Sequence, residues 1–335
     1  MKCFYHSADL DGHCSAAIVK AVCPECELIG INYGDAFPWD LFVEAEERKS
    51  GSIILPAKEP ETVYMVDFCL QPFTDMVKLK GMCNLTWIDH HKSAIESYEA
   101  YIEEQQRALM TPASVSIAGF RDSRFAACEL TWEYFNPAFR NQRWRPTDDH
   151  TKLMESIPLV VRLLGRYDVW DHSDPDTLSF QYGIRLMSTD PGRYPLCMEN
   201  LWDRLFLETQ ASPGRTLSSL LIQDGCIVMR YVDQENRKYC AAAAFETELD
   251  GFKCIAVNKL LTSSQLFDSV WDPAKHDAML TFGWRNSSWT VSLFSTRPDI
   301  DVSAVCKARG GGGHKGAAGF QCVELPFALA RGIYG

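Results

Sequence analysis

The stretch "KCFYHSADLDGHCSAAIVK", residues 2–20, decides the fold because an apolar run leads through polar residues directly into a helical pattern. Its beginning has the composition of a strand, and its end has the apolar spacing of a helix. A strand followed at once by a helix begins a βαβ unit, which predicts a parallel sheet. Three side chains of types that can bind metals or move protons, His6, Asp9 and Asp11, are crowded between the two elements.

The alternation of strand and helix continues through the first two-thirds of the chain. "QPFTDMVKLKG", "FAACELTWEYF" and "TKLMESIPLVVRLLGRY" all have helical spacing. We therefore predict an α/β fold, in which a parallel-sheet domain with helices on both faces is joined to a smaller mixed α/β C-terminal domain across a cleft. The other strands predicted in the first domain are "LIGINY" (28–33), "TVYMVDF" (62–68) and "NLTWIDHH" (84–91).

The sequence pattern changes after Pro191, where mostly helical stretches form a connector, and β-rich runs follow from about Cys240. Because 335 residues exceed the size of most single domains, we predict two domains. Their expected bounds are 1–195 for a metal-binding catalytic domain, 196–225 for a helical connector and 226–335 for a substrate-binding domain. The strands predicted in the last domain are "KYCAAAAF" (238–245), "FKCIAVN" (252–258) and "SWTVSLFST" (288–296).

Composition and charge exclude several classes of protein. No apolar run approaches the roughly 18 residues of a membrane span, and no secretion signal begins the chain, so we expect a cytoplasmic protein without a membrane partner. The thirteen cysteines are scattered singly and should be reduced, mostly buried thiols. A formal charge of −11 argues against a stable complex with long nucleic acid, but it leaves a short anionic substrate open.

Polar side chains follow three predicted strands and should meet at the carboxyl edge of the sheet. An aspartate after a strand is often only a helix cap, but its recurrence across three strands together with histidines favours metal binding. Aspartates this close together need a cation, because like charges raise one another's pKa. The candidates are His6, Asp9 and Asp11 after the first strand, then Asp67, then Asp89, His90 and His91, with Asp168 after a later helix.

The composition of this set indicates the metal. Carboxylates mixed with imidazoles and no cysteine suit Mn²⁺, with Zn²⁺, Co²⁺ and Mg²⁺ left open. The set contains more ligands than one ion needs, so we predict two divalent ions that share one carboxylate.

The glycine run in "GGGGHKGAAGF", residues 310–320, is a second candidate site. Glycines let the backbone approach an anion, and His314 and Lys315 add hydrogen-bonding or cationic groups. A flexible turn is the alternative interpretation. Arg297 precedes the run and is a candidate phosphate contact.

Together these motifs resemble a known family. "HSADLDG", "VDF", "DHH" and "GRYDVWD", followed by "GGGGHKGAAG", resemble the DHH phosphoesterases with a DHH-associated C-terminal domain. The chain is most similar in layout to the short nano-RNases, or oligoribonucleases, and dinucleotide phosphodiesterases.

The resemblance implies roles for individual residues. Asp67 would bridge the two ions, Asp89 would orient a ligand, and His91 would face the scissile phosphate. Asp168 is preferred over Asp171 as the fourth motif's ligand because "YDVW" matches better. One ion would be held by His6, Asp9 and Asp67, and the other by Asp11, Asp67, His90 and Asp168. The substrate's far phosphate would be bound by Gly312, Gly313 and His314, with Arg297 nearby.

The resemblance also implies an activity. We expect a Mn²⁺-dependent phosphodiesterase that hydrolyses short oligoribonucleotides and linear dinucleotides to 5′-mononucleotides with metal-activated water. The alternatives are a cyclic dinucleotide phosphodiesterase, a pyrophosphate or polyphosphate hydrolase, and a nucleotide-binding module without turnover. A homodimer is also expected from relatives of this kind.

Overall fold

The computed structural model describes residues 1–42, 60–107, 116–136, 157–171, 173–208 and 215–329. The chain divides into two compact units, Met1–Cys226 and Ile227–Gly335. The predicted connector, 196–225, falls within the first unit, and its residues 209–214 lie outside the described part, as do residues 151–156 of the helix predicted from 151.

The first unit contains a four-stranded parallel sheet in the order β2-β1-β3-β4. Each strand has five residues and corresponds to one of the predicted runs. The register pairs Phe4 with Met65, so the carboxyl ends of the two strands that contain these residues lie at the same edge of the sheet. The strands are β1 Lys2–His6, β2 Glu27–Ile31, β3 Thr62–Val66 and β4 Asn84–Ile88.

Two hydrophobic cores cover the two faces of this sheet. Successive side chains of a strand point to opposite faces, and Cys3 and Tyr5 accordingly belong to one core while Phe4 belongs to the other. The predicted α/β arrangement with helices on both faces is therefore confirmed. The helices of the first unit are α1 Leu10–Val22, α2 Thr74–Met82, α3 Lys92–Arg107, α4 Ala127–Phe135, α5 Leu159–Asp168, α6 Asp176–Ile184 and α7 Asp203–Phe206.

Helix α8, Leu217–Ala243, extends across the division between the units. Its C-terminal part shows that one prediction was wrong, because residues 238–243 of "KYCAAAAF" are helical and only Phe245 begins a strand. Alanine is the strongest helix former, and the first three of the four consecutive alanines at 241–244 prolong the helix that precedes them.

The second unit is built on a six-stranded mixed sheet in the order β5-β6-β7-β8-β10-β9. Only β6 and β7 are parallel, and the other neighbours are antiparallel. Helix α9, Val302–Lys307, contributes Cys306 to the core of this unit. The strands are β5 Phe245–Leu249, β6 Phe252–Asn258, β7 Ala278–Arg285, β8 Ser288–Phe294, β9 Gly312–His314 and β10 Ala317–Cys322. The predicted smaller, mixed second domain is confirmed.

Two predictions from composition can be compared with the structure. The thirteen cysteines are free thiols and most are buried, as predicted. Among the described helices, none combines the length and apolar character needed to cross a membrane.

Candidate metal centre

The strand order places the candidate residues at a topological switch point. From β1 the chain forms β2 on one side and β3 on the other. Loops that leave the carboxyl ends of β1 and β3 therefore diverge and open a crevice between them, which is where open α/β sheets bind ligands. His6 ends β1 and Asp67 directly follows β3, so both lie at this crevice.

The turn after β1 is shaped by Asp9 and Gly12. Asp9 caps α1 by accepting a hydrogen bond from the backbone N–H of Gly12 at 3.0 Å, and its other oxygen lies 2.8 Å from His6 Nδ1. A Cβ on Gly12 would lie 1.9 Å from the carbonyl oxygen of His6, so only glycine fits there. Asp9 therefore has the helix-cap role that an aspartate after a strand often has, and it also belongs to the polar cluster.

His6 and Asp9 shift one another's ionisation. Burial opposes the charged form of His6, but the carboxylates of Asp67 and Asp9 outweigh burial and raise the pKa of His6 to about 10. Burial likewise opposes ionisation of Asp9, yet its contact with His6 leaves the pKa of Asp9 below its usual value. The pair is therefore an ion pair when no metal is bound.

Asp67 is the most constrained member of the cluster. Its side chain is 1% exposed, and neither carboxylate oxygen has a hydrogen-bond partner among the described residues. Its backbone is in the left-handed region at φ +55°, a conformation that costs free energy in a residue other than glycine. Burial and the carboxylates of Asp11 and Asp9 raise the pKa of Asp67 well above its usual value.

His90 faces three carboxylates through a single nitrogen. Its Nε2 lies 3.3 Å from Asp168 Oδ2, 3.4 Å from Asp67 Oδ1 and 3.6 Å from Asp11 Oδ2. Burial lowers the pKa of His90, but Asp11 and Asp168 outweigh it and the net shift is upward. The three strands and α5 thus bring their polar side chains to one point.

Asp168 is the residue of the "GRYDVWD" motif that joins the cluster. It is the last residue of α5, and burial together with Asp11 raises the pKa of its carboxyl to about 7. Asp171 instead lies 3.8 Å from Arg166 Nε and accepts a hydrogen bond from the backbone N–H of Ser173.

Asp11 makes a contact that the sequence did not indicate. Its two oxygens accept hydrogen bonds from the backbone N–H groups of Ala127 and Cys128 at 2.8 and 2.7 Å, at the start of α4. Ala126, which precedes α4, has no polar side chain to cap the helix, so Asp11 supplies the cap from 116 residues earlier in the chain. Its carboxylate is thereby held toward His90.

Asp89 is fully buried and lies behind the histidines. Its Oδ1 accepts hydrogen bonds from the backbone N–H of His90 at 2.7 Å and of His91 at 3.0 Å, and lies 2.7 Å from His91 Nδ1. The indole N–H of Trp87 donates to Oδ2 at 3.2 Å. This arrangement leaves Nε2 of His91 as the nitrogen not engaged by Asp89.

Three groups in this cluster could hold a divalent metal ion, with the ligand atoms of each group within 4.8 Å of one another. The buried, unpartnered oxygens of Asp67 also fit a cation, since an uncompensated carboxylate is costly. Asp67 belongs to two of these groups, one with His6 and Asp9 and one with His90 and His91, but not to the group of Asp11, His90 and Asp168. The groups are His6, Asp9 and Asp67; Asp11, His90 and Asp168; and Asp67, His90 and His91.

The predicted phosphate contacts lie in the second unit. Arg297 is engaged with two carboxylates there, at 2.8 Å from Asp277 and 2.6 Å from Asp299. Gly313 has φ +140° and its Cβ would lie 2.5 Å from the backbone of Ala318, whereas a Cβ on Gly312 would meet nothing within 4 Å. His314 pairs with Ala317 between β9 and β10, and its side chain lies outside the described part. A phosphate-binding role for these residues stays a prediction.

Two further residues near the cluster were missed. Arg121 donates to the backbone oxygens of Trp87 and Ile117, at 3.0 Å each, and so supports the end of β4, directly before Asp89. Tyr33 lies beside His6, with ring centroids 5.5 Å apart. An arginine or a tyrosine in a loop has no distinctive sequence pattern, and only the folded chain shows what it contacts.

Comparison with known proteins gives similarities to solved structures only. No protein-family model and no curated protein match the chain. A pGpG-specific phosphodiesterase from Vibrio cholerae is 12% identical, with a TM-score of 0.46 over 96% of this chain and 92% of that one. An exopolyphosphatase-related protein from Bacteroides fragilis is 11% identical, with a TM-score of 0.46 over 97% and 87%.

RecJ from Thermus thermophilus, solved in complex with Mg²⁺, is 15% identical, with a TM-score of 0.37 over 95% of this chain and 46% of that one. The chain is similar to these proteins at low identity, and its own chemistry depends on the side chains of the cluster.

Proposed function

We propose that this protein is a divalent-metal-dependent phosphodiesterase of the DHH type, which hydrolyses short oligoribonucleotides and linear dinucleotides to 5′-mononucleotides. The observation that supports this most is the buried Asp67 carboxylate, which has no hydrogen-bond partner among the described residues. Its oxygens lie 3.7 Å from His6 and 3.4 Å from His90. A carboxylate in this position needs added positive charge.

Two groups of side chains would supply the ligands, with Asp67 shared between them. Carboxylate and imidazole ligands suit Mn²⁺, although other divalent ions accept the same donors. When bound, such ions lower the pKa of a water molecule and offset charge on phosphoryl oxygens. The ligands would be His6, Asp9, Asp11, Asp67, His90 and Asp168.

His91 would act on the leaving group. Burial opposes its charged form, but Asp89 outweighs burial and raises the pKa of His91 above its usual value. With Nδ1 held by Asp89, the imidazolium can donate a hydrogen bond or a proton from Nε2 to an oxygen of the scissile phosphate. Asp89 does not contact the substrate in this scheme and acts as a positioning residue.

The preference for short substrates is the part of the proposal that depends on charge. The chain carries a formal charge of −11, so a long polyanion would be repelled over most of the surface. Positive charge would be concentrated at the metal cluster, where one phosphate can bind. The loop with Gly312, Gly313 and His314, together with Arg297, is proposed to bind a second phosphate of the substrate.

A parallel time course tests the proposal. The purified protein with Mn²⁺ receives pApA, a five-nucleotide RNA, cyclic di-AMP and pyrophosphate in separate reactions. Asp67→Asn is the variant, and Asp224→Asn, on an exposed face of α8, is the matched control. Release of AMP from pApA by the wild type and the control, but not by Asp67→Asn, is expected.

Each other outcome has a defined meaning. Faster hydrolysis of cyclic di-AMP than of pApA would contradict the proposed substrate and support a cyclic dinucleotide phosphodiesterase. Faster hydrolysis of pyrophosphate would support a pyrophosphate or polyphosphate hydrolase. Absence of any hydrolysis would contradict a hydrolase and favour a nucleotide-binding module.

A further inference from the structure

An exposed aromatic ring lies beside the metal cluster and has no role in the chemistry above. The ring centroid of Tyr33 is 5.5 Å from that of His6 and 6.1 Å from that of His91. Tyr33 is nevertheless 41% exposed. It is therefore adjacent both to a predicted metal ligand and to the predicted proton donor.

The backbone holds Tyr33 in a fixed turn. The N–H of Asp35 donates to the carbonyl of Asn32 at 3.0 Å, and the Asp35 carboxylate accepts the N–H of Asn32 at 2.9 Å. Gly34 has φ +98°, which is the requirement of a type II turn at its third residue, so Tyr33 is the second residue of that turn. Hydrogen bonds in both directions across the turn restrict where the ring can lie.

The Tyr33 ring packs against a neighbouring aromatic side chain. The ring contacts Phe68 at 4.7 Å between centroids, with the planes tilted by 35°. Because Tyr33 is 41% exposed while its ring contacts Phe68, part of the residue remains open to a ligand.

We propose that Tyr33 is a stacking platform for the nucleobase of the nucleotide whose phosphate lies at the metal cluster. This inference rests on the proposed function and deepens it. Every nucleobase has a π-face, so an aromatic platform would favour nucleotides of any base over pyrophosphate or polyphosphate. Tyr33 would then determine the class of substrate without selecting its sequence.

The size of the effect follows from known base–aromatic contacts. Removal of one stacking ring typically weakens binding by roughly tenfold to a hundredfold. Phenylalanine at this position would retain the ring and lose only the hydroxyl. Leucine would keep apolar contact with Phe68 but would present no π-face.

Calorimetric titrations test this with AMP and with ribose 5-phosphate, which has the same phosphate and sugar but no base. The proteins are the wild type, Tyr33→Phe, Tyr33→Leu and Tyr231→Leu, each with Mn²⁺. Tyr231 is an exposed tyrosine on α8 and serves as the matched control. The KM and kcat for pApA are measured on the same samples.

We expect the wild type to bind AMP more tightly than ribose 5-phosphate. Tyr33→Leu should bind AMP roughly tenfold or more weakly, with ribose 5-phosphate unchanged, and its loss in pApA hydrolysis should be mainly in KM. Tyr33→Phe and Tyr231→Leu should resemble the wild type. An equal loss of affinity for AMP and for ribose 5-phosphate in Tyr33→Leu would overturn the inference, because it would mean that Tyr33 only supports His6.

Failure of the inference and failure of the proposed function are distinguishable. If the wild type hydrolyses pApA but binds AMP no more tightly than ribose 5-phosphate, the platform is wrong and the phosphodiesterase stands. If AMP is held by Tyr33 without any hydrolysis, the platform stands and the proposed reaction is wrong. If there is neither hydrolysis nor AMP binding, both are wrong.

Discussion

Asp89 and His91 form a coupled pair in which one carboxylate fixes the imidazole and its backbone together. Asp89 Oδ1 lies 2.7 Å from His91 Nδ1 and also accepts the backbone N–H of His91 at 3.0 Å. The carboxyl is fully buried, and its contact with His91 keeps the pKa of Asp89 below its usual value even though burial acts to raise it. The carboxylate of Asp89 therefore holds the imidazole and the backbone of His91 in one orientation.

Replacement of this carboxylate tests the role of His91 as a proton donor. Asp89 raises the pKa of His91, so an acid at that position stays protonated to higher pH in the wild type. In Asp89→Asn the pKa of His91 should fall, so the decrease of kcat with rising pH should begin at a lower pH than in the wild type. At neutral pH we expect kcat to decrease about 10- to 100-fold, as is typical when a supporting partner is lost. A pH profile of kcat at saturating Mn²⁺ checks this. If kcat decreases at the same alkaline pH in the variant and in the wild type, Asp89 has only a structural role.

Gly12 is expected to be indispensable for the shape of the turn after β1. A Cβ there would lie 1.9 Å from the His6 carbonyl oxygen, so Gly12→Ala must displace α1 from β1. We expect a loss of about 2 kcal/mol or more in the free energy of unfolding, together with weaker Mn²⁺ binding.

Gly81→Ala is the matched control for Gly12→Ala. Gly81 also lies in a helix, α2, but has open space at the Cβ position. That substitution should be neutral or stabilise the protein by about 0.5–1 kcal/mol. Urea unfolding of both variants gives the comparison, and equal effects would contradict the steric argument.

Metal binding should be linked to proton release. The pKa of Asp168 is raised to about 7 and that of His6 to about 10, so the metal-free cluster holds protons near neutral pH. A cation needs deprotonated ligands, and its apparent affinity should therefore rise as the pH increases from 6 to 9. Calorimetry in buffers of different ionisation enthalpy measures the protons released, and pH-independent affinity without proton release would be inconsistent with these ligands.

Glu133, on α4, gives a test of stability that is independent of the metal cluster. It is 3% exposed, and burial together with Asp122 raises the pKa of its carboxyl from 4.5 to about 7. A raised acid pKa means that the folded protein binds more protons than the unfolded chain between these values, so stability falls as the pH rises through this window. Above pH 7 the full free-energy cost of ionising the buried carboxyl of Glu133 lowers the stability of the folded protein.

Glu133→Gln removes that cost. The variant should gain on the order of 1–3 kcal/mol relative to the wild type at pH 8, and little at pH 4. Glu25→Gln, at an exposed position, should show no such dependence. Urea unfolding at the two pH values provides the measurement, and a constant difference between wild type and variant would contradict the shifted pKa.

The sequence was sufficient to predict the four strands of the first unit, several of its helices and most of the cluster, but helices α3 and α6 were not predicted. Strands such as "TVYMVDF" show their apolar run and end in a polar residue, so local pattern alone locates Asp67 at a strand end. Parallel strands share a carboxyl edge, and this geometric rule brings Asp67 close to His6 and His90.

The parts that could not be predicted depend on contacts between distant segments or on helix propensity. Asp11 caps α4 from 116 residues away, and neither segment carries a local signal of that contact. Tyr33 precedes Gly34 and Asp35 in an ordinary turn sequence, so its position beside His6 emerges only from the fold. At 238–243 the helix propensity of alanine prevails, so these residues continue the helix and do not form the predicted strand.

The central claim is that Asp67 is shared between two bound cations, and the Mn²⁺ content of the protein tests it most directly. Equilibrium dialysis at pH 8 followed by elemental analysis should give two Mn²⁺ per chain for the wild type and for Asp224→Asn. Asp67→Asn should retain at most one, weakly bound, and its Tm without metal at pH 8 should exceed that of the wild type, because a buried carboxyl whose pKa is raised in the folded protein has been removed. A wild type that binds no Mn²⁺, or an Asp67→Asn variant that binds as much as the wild type, would contradict the account.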